Sequence, residues 1–147
     1  ALWATQQLLP YERGGVFAKN LEAGHEAALQ LYRYLSSNAS FITPSSPPAL
    51  DIVFWAVKAG TWKDSSTLAQ RIFDEAAKRD LHLALANLPV RFFPVGSWPQ
   101  AKETGYVTCL RSVLMKPEHL AWIGEICQRL EAACSASIAV NTAFDAD

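Results

Sequence analysis

The sequence predicts an α+β domain, in which a small, mostly antiparallel sheet is covered on one face by helices. Three short runs, 50–57, 81–88 and 106–115, are rich in apolar and β-favouring residues. Three longer segments, 16–35, 65–77 and 118–134, place apolar residues at helical spacing. Clusters of Pro, Gly, Ser and Asn separate these segments, so sheet and helices can share one core.

The composition is that of one folded domain. The chain has 147 residues, of which 50% are hydrophobic, and this excludes disorder as its main state. Its 13 Lys and Arg residues balance 14 Asp and Glu residues without long runs of either sign, which argues against binding to nucleic acid or to an anionic membrane surface. No apolar run approaches the roughly 20 residues that span a bilayer.

The chain opens in helical rhythm, with Leu2, Trp3, Gln6 and Leu9 on one face and no capping residue before them. Pro10 and the sequence that follows it, to residue 15, predict a flexible joint. We therefore expect the chain to be a piece of a longer protein. The alternative is a mature protein whose leader has been removed.

The helix predicted from residue 16 ends at the polar cluster 36–40, and His25 is expected on its solvated side. Residues 41–43 predict a short edge strand before the proline cluster 44–48. The nearly all-apolar run 50–57 predicts a central strand.

The next helix is expected to begin with a cap at Ser65 or Ser66. It leads to the second apolar strand, 81–88, in a strand–helix–strand unit that permits a parallel or a split antiparallel arrangement. His82 alternates with its apolar neighbours and is expected to be a structural histidine.

Residues 89–103 form the least regular stretch and contain Phe92, Phe93 and Trp98. Prolines and a glycine prevent a long element there. We expect these rings to be buried either against the chain's own helices or against another domain or subunit.

The strand predicted at 106–115 carries one charged residue, Arg111. A guanidinium cannot lose its proton, so on a buried strand it needs a carboxylate, a phosphate or several fixed acceptors. Arg111 could pair with an acid of its own chain, extend to the sheet edge, or bind a ligand. A helix follows Pro117, and beyond Cys134 the tail 135–147 loses helical rhythm and is expected to fray.

The residues show no complete catalytic apparatus. We find no nucleophile with a base, no phosphate-binding glycine loop, no metal-ligand spacing and no paired carboxylates, so no catalytic or metal-binding residue is assigned. The three cysteines, Cys109, Cys127 and Cys134, fall within a predicted strand and helix. They are expected to be buried thiols in a reducing cytoplasm.

An apolar strand containing Leu110-Arg111, then Pro117 and a last helix of the type HLAWIGEICQRLEAA, resembles the C-terminal end of the PLP-dependent group II decarboxylases. The resemblance extends along most of the chain. It implies the small domain of a fold-type-I PLP enzyme, with residues 1–15 as the end of a linking helix and its joint, 16–134 as the small domain and 135–147 as a tail.

In that family the cofactor-binding residues belong to a large N-terminal domain, so the resemblance implies that this segment binds no PLP alone. The whole enzyme would be a cytoplasmic homodimer that removes carbon dioxide from an L-amino acid, with PLP accepting the electron pair. The position of Arg111 matches an arginine that engages the substrate carboxylate in the glutamate decarboxylase branch. Leu110 replaces an aromatic residue of that pattern, which leaves the substrate open.

Two other hypotheses remain open at this stage. The first is a free-standing ferredoxin-like module that binds a ligand or partner and has no enzymatic activity, which predicts that Trp3 and Phe92 pack within the domain. The second is an aminotransferase or carbon–sulfur lyase on the same PLP scaffold.

Overall fold

The computed structural model describes residues 2–99 and 105–144, and it confirms the predicted α+β class. Four strands form one sheet, and the three longer helices pack on one of its faces. The elements in chain order are α1 (Leu2–Leu8), α2 (Val16–Ser37), β1 (Phe41–Ile42), β2 (Ile52–Val57), α3 (Trp62–Ala77), β3 (Ala84–Pro89), a 3-10 turn (Val90–Phe92), β4 (Tyr106–Val113) and α4 (His119–Phe144).

The strand order is β1-β2-β4-β3, and every neighbouring pair is antiparallel. Since β2 and β3 both run antiparallel to β4, they are parallel to each other, with β4 between them. The unit β2–α3–β3 is therefore the split form of the two arrangements that the sequence permits. The register sets Arg111 of β4 between Phe54 of β2 and Ala84 of β3.

The main core lies between the sheet and the helices. Trp55 and Leu110, from the two central strands, are fully buried beneath the helices. They meet Leu31 of α2, Ile72 of α3 and Leu130 of α4. This cluster follows the two periodicities of the sequence, since alternate strand residues and every third or fourth helix residue point toward it.

A smaller cluster lies on the opposite face of the sheet. Phe93 and Trp98 from the segment after β3 cover Ala56, Val107 and Cys109. The rings of Phe93 and Trp98 are thus buried against the sheet itself, whereas the sequence predicted the helices or another domain. Phe92, the third ring of this stretch, is 46% exposed. Residues 100–103 of the predicted irregular stretch lie outside the described residues.

The N-cap of α3 lies four residues before Ser65 and five before Ser66, the two residues that the sequence predicted as caps. This N-cap is Thr61, whose hydroxyl accepts a hydrogen bond from the backbone N–H of Asp64 at 3.1 Å and donates to the Asp64 carboxylate at 2.7 Å. The Thr61 hydroxyl thus satisfies one backbone donor of the first helical turn, and the Asp64 carboxylate holds that hydroxyl in place. Ser65 is instead fully buried within the helix.

Strand β3 begins three residues after its predicted start at Leu81. The backbone N–H of Leu81 donates to the carbonyl of Ala76, and Asp80 has a positive φ of 55°. These features end α3 with a left-handed turn, so Leu81 still belongs to the helix terminus.

Helix α4 continues to Phe144, although the sequence predicted a frayed tail from residue 135. Ser137 is buried and donates a hydrogen bond of 2.8 Å to the carbonyl of Ala133. A serine that bonds to its own helix in this way remains compatible with a buried helical face. Residues 145–147 of the predicted tail lie outside the described residues.

Candidate functional site

Within the part of the chain that the structure describes, the segment 90–99 leaves part of the helix-free side of the sheet uncovered. We call this region the open face and define it by Ile52, Phe54, Ala84, Arg111 and Val113. Strand alternation places these residues on one side, opposite the helix-covered core. The open face therefore combines apolar side chains with one cation.

Arg111 occupies the centre of the open face because of the two-residue repeat of β4. Leu110 points into the main core, while Cys109 is buried beneath the segment 90–99. The side chain of Arg111 is exposed, and on the β3 side its neighbour is only the methyl group of Ala84. Its guanidinium makes no ion pair or hydrogen bond with any described residue. Its donors can therefore reach an acceptor supplied from outside these residues.

A cavity of about 610 Å³ lies beside the open face, and Ile52 and Phe54 belong to both. The proline cluster from Pro44 to Leu50 forms one wall, and Arg91 and Phe92 form another. Neither Arg91 nor the cavity was predicted from the sequence. The signals available there were the rigid prolines and the aromatic residues of the segment after β3, but neither shows that the two segments face each other.

Two side chains of α2 hold the proline-rich wall. The Tyr32 hydroxyl donates to the carbonyl of Pro44 at 2.9 Å, and the His25 Nε2 lies 3.1 Å from the carbonyl of Pro48. The sequence predicted that His25 lies on a solvated helix side, but it is half-buried and contacts this loop. His82, predicted to be structural, lies exposed in the connection before β3.

The three cysteines are free thiols buried in the protein, as the sequence predicted. Burial raises the pKa of Cys109 and of Cys134 to about 12, and that of Cys127 to about 11, because an apolar environment disfavours the thiolate. The neutral thiol is a poor nucleophile and a poor metal ligand, so these residues have a packing role.

In the described parts of the chain, no group of three or more His, Cys, Asp or Glu side chains is arranged to hold a metal ion. The described lysines, at positions 19, 58, 63, 78 and 116, are all exposed, and none lines the cavity. The described residues therefore do not fit a PLP site, which requires a lysine directed at the cofactor.

None of the helices within 2–99 and 105–144 has the length and apolar character required to cross a bilayer.

Several large apolar side chains are exposed. Trp3 of α1 is 74% exposed, and Phe92 beside the cavity is 46% exposed. The free-standing module predicts that both pack within the domain, and neither does. Apolar exposure of this kind is typical of surfaces that meet another protein segment.

No protein-family model matches this sequence, and no curated protein matches it at the sequence level. Solved structures do match the fold. TDC of Oryza sativa with PLP and tryptamine superposes with a TM-score of 0.57 and 15% sequence identity, over 88% of this chain and 24% of that chain. Tryptophan decarboxylase of Catharanthus roseus in complex with L-tryptophan gives a TM-score of 0.56 and 13% identity, over 90% of this chain and 25% of that chain. The chain thus shares the fold of about a quarter of each of these proteins.

Proposed function

We propose that this chain is the small domain of a PLP-dependent amino-acid decarboxylase, joined in the full polypeptide to a large domain that binds the cofactor. The observation that carries the proposal is the extent of the fold match. Nearly all of this chain superposes on about a quarter of two proteins whose descriptions name tryptophan decarboxylase, or TDC with PLP. The exposure of Trp3 and Phe92 supports a domain with a further partner over the free-standing module.

In this proposal Arg111 binds the carboxylate of the amino-acid substrate. Its guanidinium is exposed on the open face and has no described acidic partner, so it enters the complex with its donors available. A planar guanidinium forms two parallel hydrogen bonds with a carboxylate, which fixes the orientation of the bound amino acid. Phe54, directly across the strand pair, supplies an apolar wall beside it.

The large domain would provide the lysine and the phosphate ligands for PLP, since the described residues of this chain do not supply them. We further propose that the whole enzyme is a homodimer, with most of the subunit interface formed by the large domain. The three buried free thiols support a reducing, cytoplasmic location.

The test is a kinetic comparison of the full-length polypeptide and its Arg111→Lys variant, with carbon dioxide release as the measurement. Lysine keeps the charge but loses the paired hydrogen bonds. We expect kcat/KM for the amino acid to fall roughly 10- to 100-fold, which corresponds to the loss of a charged hydrogen bond.

Arg33→Lys is the matched control, because Arg33 is an exposed α2 residue that pairs with Glu26 and lies away from the open face. Its kcat/KM should equal that of the unmodified enzyme. An Arg111→Lys variant with unchanged kinetics would remove Arg111 from the substrate site, and a polypeptide that releases no carbon dioxide from any amino acid would refute the decarboxylase assignment.

A further inference from the structure

We propose that the cavity beside the open face is a second ligand site, which binds a small molecule with an apolar, ring-sized body and a carboxylate held by Arg91. This inference goes beyond the proposed decarboxylase function. All the residues that line this cavity belong to this chain, so the test of ligand binding needs neither PLP nor an amino-acid substrate.

The size and walls of the cavity suit a small molecule. Its volume of about 610 Å³ lies within the range of roughly 300–1,000 Å³ that is typical of ligand sites. Phe54 and Phe92 present aromatic rings, and Leu50 and Ile52 add aliphatic surface. A flat or compact apolar group would bury these side chains, of which Leu50, Ile52 and Phe92 are now exposed.

The cavity is formed by segments that are already fixed. Pro44, Pro47 and Pro48 restrict one wall, and the hydrogen bond from Tyr32 to the carbonyl of Pro44 attaches it to α2. The ring of Phe54 packs edge-on against the buried ring of Phe93, with centroids 6.5 Å apart. A ligand would therefore enter a largely pre-formed site, which lowers the entropic cost of binding.

The charge of the cavity selects an anion. Arg91 is the only charged side chain among the described residues that line it. Its guanidinium carbon lies 5.7 Å from the centre of the Phe92 ring, and it forms no ion pair with a described residue. The backbone N–H groups of Ser45 and Ser46, in the proline-rich wall, donate to no described acceptor. The guanidinium of Arg91 favours a carboxylate over a neutral or cationic group.

The probe is naphthylacetate, with the neutral isostere naphthylacetamide as its matched ligand, titrated into the isotope-labelled chain and followed by amide NMR. We expect the shifts to centre on Ser45, Ser46, Leu50 and Phe92. The dissociation constant of the carboxylate should be about tenfold lower than that of the amide, as one charged hydrogen bond predicts.

Arg91→Gln should raise the dissociation constant of naphthylacetate to that of naphthylacetamide. The dissociation constant of naphthylacetamide should not change. Arg13→Gln, which removes an exposed positive charge from the joint between α1 and α2, should affect neither ligand. Both residues are exposed, and the amide spectrum reports whether each variant is folded.

Several results would overturn the proposal. They are equal affinity for the two ligands, no saturable binding of either ligand, or the same loss of naphthylacetate affinity in Arg13→Gln as in Arg91→Gln. Concentration-dependent shifts of the same amides without ligand would assign the cavity to contact with a second copy of the chain. A decarboxylase that loses activity with Arg111→Lys but shows no cavity binding would refute this inference alone.

Discussion

At the scale of single residues, the position of Arg111 follows from strand alternation, which the sequence contains. Its lack of a described ion-pair partner could not be predicted in the same way, because it depends on which acids the tertiary fold brings near. The position of the α3 cap could not be predicted from the sequence either. Thr61 and Ser65 are both good capping residues, and only the reciprocal contact with Asp64 decides between them.

Gly24 shows how closely α2 approaches the end of β4. A Cβ atom at this position would lie 2.8 Å from the carbonyl oxygen of Leu114, a backbone atom that cannot rotate away. The same region is fixed by the hydrogen bond of 2.8 Å from the N–H of Leu114 to the carbonyl of Asp51. Only glycine therefore lets α2 pack here without a shift of the backbone.

We predict that Gly24→Ala lowers the free energy of unfolding by about 1–3 kcal/mol, because overpacking exceeds the gain in helix propensity. Gly124→Ala in α4 is the matched control, since a Cβ atom at that position would meet open space, with no neighbouring side chain or strand within 4 Å. That variant should be more stable by about 0.5–1 kcal/mol. Urea unfolding of both variants measures the difference, and equal effects would contradict the close approach.

At the scale of elements, the sequence predicted the four strands and the longer helices from their periodicity. It did not predict where the segment 90–99 packs, since a cluster of aromatic rings is equally suited to several apolar surfaces. Phe93 and Trp98 meet edge-on with centroids 5.4 Å apart, and both are buried over Cys109. The extension of α4 beyond Cys134 was also missed, because serines weaken the apolar pattern while still permitting a helix.

The segment 90–99 shields the Cys109 thiol, and Phe93→Ala should remove that protection. We expect Cys109 to react with a thiol reagent much faster in this variant at neutral pH, because exposure to water lowers its raised pKa and opens access. Cys134, in the helix-covered core, should react as slowly as before and serves as an internal reference.

Phe92→Ala is the matched control, because Phe92 precedes Phe93 but is 46% exposed. Its cysteines should remain as protected as in the unmodified chain. Equal acceleration at Cys109 and Cys134 in Phe93→Ala would indicate global unfolding, and slow labelling of Cys109 would show that the segment does not cover it.

At the scale of the whole molecule, the two faces of the sheet differ in what covers them. The helices bury one face, while among residues 2–99 and 105–144 the other face is covered only in part, by the segment 90–99. The open face and the adjoining cavity carry Arg111 and Arg91, which have no ion-pair partners among the described residues. This asymmetry is why both proposals place function on the helix-free side.

The class of the fold could be predicted from the sequence because strand and helix periods are local properties. The arrangement of the open face could not, because it depends on the order β1-β2-β4-β3, which brings Phe54, Arg111 and Ala84 together from three separate strands. The similarity to solved structures at 13–15% identity likewise shows the fold. The chemistry has to be argued from the residues of the site.

The proposed function implies that the helix-free side of the sheet meets a large domain, and hydroxyl-radical footprinting tests this central claim most directly. The measurement compares side-chain oxidation in the 147-residue chain and in the full-length polypeptide. We predict that Phe54 and Phe92 become several-fold less reactive in the full-length protein, while Trp122, which is 59% exposed on α4, reacts equally in both. Unchanged oxidation of Phe54 and Phe92, or protection of Trp122 alone, would contradict the account.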